Sequence, residues 1–136
     1  MKSIKLVISQ VPLSTNEIKS LMWTDYGKVQ LQEISDLWVD DVGAKIVEQR
    51  YKIGIFDSFK KAKISIKIFF KTNRNRDYDN YQCKEVIDAI KNNGLIIDDN
   101  FDVIGKVDID ITGRDSKKPR TEITIEEITD AKDKTK

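Results

Sequence analysis

The chain has 136 residues, 39% hydrophobic and 35% charged, with a formal net charge of +1. That suffices for one domain with its own core and is too evenly balanced for bulk charge to name a polyanionic partner. A single cysteine and the absence of histidine exclude an intrachain disulfide, Ser-His-Asp and Cys-His nucleophile systems, HExxH zinc sites and any histidine general base. Chemistry is left to carboxylates, lysine and metal-bound water. No apolar run approaches the ~20 residues that span a bilayer. The N-terminus alternates too regularly for a signal peptide, so with its lone cysteine the chain reads as cytoplasmic.

In chain order, Ser3 to Ser9 sets Ile4, Leu6 and Ile8 against Lys5, Val7 and Ser9, the period of a strand. A loop with Pro12 leads to a capping box, Ser14 to Glu17. It opens a short helix from Glu17 to Trp23, which Asp25-Tyr26-Gly27 breaks. A longer helix, Val29 to Gln49, carries Leu31, Ile34, Trp38, Val42 and Ile46 at helical spacing. Gly43 weakens it without ending it, and Trp38 on that stripe reads as core. Lys52 to Phe59 reads as a loop. Ala62 to Lys71 is the clearest strand, with Ile64, Ile66, Ile68 and Phe70 on one face and Lys63, Lys67 and Lys71 on the other. The next helix is expected from near Asp79 to Asn93, with Gly94 at its left-handed C′ position. Cys83, Val86, Ile87 and Ile90 form its buried stripe, Cys83 as an inert core thiol. Val103 to Thr112 and Thr121 to Ile128 read as a hairpin around the Gly113 to Arg120 turn. Thr129 to Lys136 reads as a disordered polar tail. The expectation is one α/β domain over residues 1–128, a small mixed sheet with packed helices in the order β-α-α-β-α-β-β.

The chemistry gathers in Asn73 to Asn100. From Lys60 to Arg76 there are seven basic residues and no acidic one. Immediately afterwards Asp77, Asp79, Asn80, Asp98 and Asp99 bracket a single helix. Clustered carboxylates repel unless a cation joins them, and a hard metal held by oxygen ligands is their simplest purpose. The basic run before them points to a phosphate-bearing partner, with Lys67 and Lys71 leading towards the acids. Structural alternatives stand beside this. Asp79 suits a helix N-cap with Gln82 as its capping-box partner. Asp98-Asp99-Asn100 suits a turn, and Lys84 can pair with Asp88 one turn on. An EF-hand is excluded, because Val103 and Ile109 stand where its glycine and glutamate are needed. There is no Walker loop, GxGxxG or CxxC.

Arg76-Asp77-Tyr78-Asp79-Asn80 is similar to the RDxDN motif of the RusA-type Holliday junction resolvases, small endonucleases of bacteria and their prophages. The likeness continues through Ile87-Asp88-Ala89-Ile90 and Gly94 to Ile97-Asp98-Asp99, and Pro12-x-Ser14-x-Asn16 resembles the family's PxSxN loop. The resemblance covers nearly the whole chain. It implies catalytic, metal-holding aspartates at Asp77, Asp79 and Asp99, and a catalytic lysine at Lys84, one residue beyond the family's shorter spacing. It also implies Mg²⁺ with Mn²⁺ as substitute, no organic cofactor, a homodimer, and cleavage of four-way DNA junctions in recombination and repair. Lys67, Lys71, Arg74 and Arg76 are then expected to bind flanking phosphates. The rival reading is a non-catalytic dimer that binds branched DNA. With a helix starting at Asp79, Asp99 can return to Asp77 and Asp79 only if Leu95 to Asp98 runs straight back along it. A site built within one chain is the expectation, and Leu95, Ile96 and Ile97 pack either on that helix or in a dimer seam.

Overall fold

The computed structural model of the chain describes residues 2–54, 57–72, 76 and 80–129. Strand β2, Ala62–Phe70, buries Ala62, Ile64, Ile66, Ile68 and Phe70 and turns Lys63 and Lys67 to solvent. It has a neighbour on each side. Strand β4, Arg120–Glu127, pairs antiparallel with it and with β1, Ser3–Ile8. Strand β3, Asp108–Arg114, pairs parallel to its other edge, so the sheet order is β1-β4-β2-β3.

The expected hairpin of β3 on β4 is therefore corrected, since β2 lies between them. Burial explains the choice. Ile123 and Ile125 of β4 are fully buried, whereas Ile109 and Ile111 of β3 are only partly so. Complete burial of each isoleucine is worth about 2 kcal/mol, and the inner place gives that burial to Ile123 and Ile125. A parallel β2–β3 pair also needs a crossover, which two helices supply.

Helix α1, Thr15–Leu21, is capped by Ser14, with the capping box to Glu17 formed as the sequence suggests. Helix α2 runs Asp25–Ile53. The break between the two helices falls at residues 22–24, and Asp25-Tyr26-Gly27 forms the first turn of α2. The Thr24 hydroxyl accepts the Gly27 N–H at 2.9 Å. Gly27 is there because α1 ends against it: a Cβ at this position would lie 1.9 Å from the Leu21 carbonyl oxygen. Trp38, Val42 and Ile46 are buried, while Leu31 and Ile34 are half-buried.

Helix α3, Lys84–Asn92, packs along α2. It ends in a Schellman motif, the Gly94 N–H on Lys91 O at 2.9 Å and the Leu95 N–H on Ile90 O at 3.3 Å. The Asn93 amide donates to the carbonyls of Val39 and Ala89 at 2.9 and 2.8 Å. It lies against Gly43, where a Cβ would stand 2.5 Å from Asn93 Oδ1. A further short helix, α4, Phe101–Ile104, is capped by Asn100 and takes residues that the sequence assigned to the next strand. Among the described residues the order is β-α-α-β-α-α-β-β, a mixed α/β fold. The sheet's apolar face shares one core with Trp38, Val86, Ala89 and Ile90. Among the described residues no helix is long and apolar enough to cross a membrane.

Candidate functional site

Phe70, the last residue of β2, organises one end of the site. The Arg76 guanidinium stands 3.8 Å above its ring, and the Tyr81 ring meets it at a tilt, centroids 5.4 Å apart. Arg76 also donates to the Thr72 carbonyl and hydroxyl at 2.9 and 3.0 Å. Residues on both sides of Asp77 and Asp79 are thus fixed to one aromatic ring. Asp77, Asp79 and Arg74 themselves lie outside the described residues. Asn80 is described, and its side-chain oxygen accepts the Asn16 backbone N–H at 3.1 Å. That bond joins the N-terminal PxSxN loop to the RDxDN segment.

Helix α3 opens at Lys84, later than expected, and its N-cap is Cys83 in the left-handed region (φ 54°), with no side-chain cap. The cap role considered for Asp79 and Gln82 is corrected. Tyr81 and Cys83 are both buried, and their burial outweighs the ~1–2 kcal/mol cost of a left-handed cysteine. Burial, and then the charge of Glu85, pushes the Cys83 thiol up to about 12, so it is no nucleophile at neutral pH.

Lys84 pairs with Asp88 as the structural alternative has it, at 4.0 Å with most of its side chain in water. Next to it is a carboxylate that sequence reasoning missed. Glu85 folds into a cleft of about 180 Å³ beside Leu13, Leu31 and Ile34. Burial raises its pKa first of all, with Asp88 and Glu17 adding to the rise. The backbone N–H groups of Glu85 and Leu13 oppose it. Among the described residues its Oε1 has no hydrogen-bond partner. Only the tertiary placement of α1 and α2 creates this environment, and no local pattern announces it.

At the other end of α3, Lys91 Nζ lies 3.3 Å from Asp98 Oδ1 and 3.6 Å from Asp99 Oδ1. Asp98 accepts the Asp99 N–H at 2.8 Å and the Asn100 amide at 3.2 Å. The Asp99 N–H, and after it Lys91, hold the Asp98 carboxyl below the usual range. Asp98, and then Asp99, raise the Lys91 ammonium in return. Asp98 is thus the turn-former, and Asp99 is the less committed of the pair. Lys91 was also missed, although Lys84, Asp88 and Lys91 recur at the spacing of one helix face.

Of the residues that bracket α3 in sequence, Asn80, Asp98 and Asp99 are described. Nine residues of helix are about 13 Å long, with Asn80 before the first turn and the Asp98–Asp99 pair on Lys91 in the last. Leu95 and Ile96 are buried in their own chain, not in a seam, because Leu95 O and the Ile97 N–H bond the backbone of Phe59 at 2.7 and 3.2 Å. Among the described residues no three acidic or cysteine side chains converge as a metal site. Of the expected phosphate contacts, Lys71 is exposed at the end of β2. Lys67 stands opposite Asp110 and Glu122 on its neighbouring strands. Glu122 in turn is bound by Arg120 at 2.8 Å and Lys5 at 3.8 Å, so this face of the sheet is internally compensated. No family model matches the chain, and no curated protein is similar to it.

Proposed function

We propose that the protein is a metal-dependent endonuclease of the RusA type, a cytoplasmic homodimer that cuts four-way DNA junctions. The observation that carries this reading is the Asn16–Asn80 bond, which couples the two segments that resemble the family's motifs. Asp77, Asp79 and Asp99 are the ligands for Mg²⁺ or Mn²⁺. Carboxylate oxygens suit a hard divalent ion, and the Lys91 ammonium shared by Asp98 and Asp99 marks a place where this pair accepts a cation. When bound, the metal supplies a water of lowered pKa and offsets phosphate charge. Lys84, loosely paired with Asp88, is free to swing onto a phosphate and neutralise charge that builds up there. Lys71, Arg74 and Arg76 hold the flanking backbone, with Lys67 in a lesser part.

The test is a labelled four-way junction incubated with and without Mg²⁺. Paired symmetric nicks are expected only with metal. Asp77→Asn, Asp79→Asn and Asp99→Asn should each lower cleavage by at least ~100-fold while junction binding survives, with Asp98→Asn milder. Because Cys83 caps α3, a dead Asp79→Asn variant cannot be blamed on a lost cap. A junction that is retarded but intact with every metal would leave only the non-catalytic binder.

A further inference from the structure

The corner between α1 and α2 holds apolar surface that the proposed chemistry does not use. Met22, Trp23, Tyr26 and Val29 are all exposed, Trp23 at 85% and Tyr26 at 73%. An aromatic surface of this size left in water on one small corner calls for an occupant.

The corner is also stiff. The Met22 N–H bonds the carbonyls of Ile18 and Lys19 at 3.1 and 3.2 Å. Thr24 caps α2, and the packing of Gly27 on Leu21 fixes the angle between the helices. The Trp23 ring is therefore presented by ordered backbone, which lowers the entropy lost when something stacks on it. Lys19 and Lys28 are exposed on the rim. Asp25 sits in the first turn of α2, where the helix dipole favours it.

Location narrows the choice. Helix α1 has Asn16, bonded to Asn80, at one end and this corner at the other. Its seven residues span about 10 Å, or roughly three nucleotides at ~3.4 Å each. Four side chains are also too small a patch for a stable protein interface, which needs roughly 800 Å² per partner. Flat rings flanked by cations match unpaired bases, whose faces stack on aromatics while their phosphates meet lysine.

We propose that Trp23, with Tyr26 beside it, is a stacking platform for unpaired bases of the DNA next to the branch point. This rests on the junction-cleaving reading above. The protein has two tryptophans, and Trp38 is fully buried, so quenchable emission reports on Trp23. The experiment titrates the protein in EDTA with a fluorescein-labelled four-way junction that carries unpaired bases at its crossing, reading anisotropy and tryptophan emission together. A fully paired linear duplex of equal length is the control. Expected are saturating quenching by the junction at the concentration that saturates anisotropy, and much weaker quenching by the duplex. Trp23→Ala should bind the junction about ten-fold more weakly, and Trp23→Phe should restore most of that loss. Full binding by anisotropy with unquenched Trp23, or equal quenching by duplex, would overturn the platform and leave the nuclease reading standing. Iodide protection of Trp23 that rises with protein concentration in the absence of DNA would overturn it in favour of a second copy on this corner. No binding by anisotropy would sink the nucleic-acid reading and the platform with it.

Discussion

Glu85 is a carboxylate folded into an apolar corner, and its raised pKa carries a stability consequence of definite sign. Below the unfolded pKa both states are protonated and the residue costs nothing. As pH rises through the unfolded and then the folded pKa, the native state must ionise a buried group, and stability is lost. Glu85→Gln keeps the shape and removes the charge. Its melting temperature should exceed that of the wild type at pH 7 and converge with it near pH 4. A variant less stable at both pH values would mean that the ionised form is held by contacts stronger than its burial. Lys91 is the second residue whose weight shows only in the fold. Its ammonium competes with any divalent ion for Asp98 and Asp99, so Lys91→Met should lower the Mg²⁺ concentration giving half-maximal cleavage. An unchanged metal curve would separate this pair from the active centre. The local roles were legible: Lys84 with Asp88, the turn at Asp98, the inert Cys83, the Ser14 capping box. All but the burial of Cys83 depend on neighbours within about one helical turn. Glu85 was not legible, because its neighbours come from Leu13 and α2.

Among the elements, the sequence misjudged two glycines by treating them as local weaknesses. Gly27 and Gly43 are points of close approach between helices, and the chain that approaches is in neither case visible from the glycine's own surroundings. Gly43→Ala gains about 1 kcal/mol of helix propensity, yet its Cβ would press on Asn93 Oδ1 at a cost of about 1–3 kcal/mol, so a net loss of up to about 2 kcal/mol is expected. Asn93→Ala alone should also destabilise, by uncoupling Val39 O and Ala89 O from their donor. In the double variant the clash has gone, so urea unfolding should show the two losses adding to less than their sum. Strict additivity would mean that the added methyl group does not meet Asn93. Strand positions were legible because an alternating pattern needs only one buried face. Strand partners were not, because β3 and β4 alternate alike and only the depth of burial of Ile123 and Ile125 decides which lies inside.

For the whole molecule, the Asp98–Asp99 pair stands on Lys91 in the last turn of α3, and Asn80 precedes its first turn. A helix beginning at Asp79 would have carried the chain about 20 Å away from Asp77 and Asp79, whereas α3 begins at Lys84 and is nine residues long, which shortens the return that a site within one chain requires. With the Asp98–Asp99 pair tied to Lys91 and Asn80 before the first turn, a site within one chain stays the expectation, and one shared between two copies is its alternative. A mixed dimer of Asp77→Asn and Asp99→Asn chains decides between them. Shared sites would leave one centre intact, so nicking of one strand would return to about half the wild-type rate per dimer. If the mixed dimer stays as dead as its parents, as expected, each site is built within a single chain. The sheet order has a consequence of another kind. Ser3 pairs with Glu126, Ile8 with Thr121, and β4 also separates β1 from β2. On a ribosome, the first strand emerges with nothing to pair with, and it waits until residues 120–127 have left the exit tunnel. Until then β2 has only β3 beside it, and Ile4, Leu6 and Ile66 remain open to chaperones and proteases. Co-translational folding can prepare the helices, but the sheet closes in one late step, and a nascent chain halted before β4 has no smaller native unit to settle into.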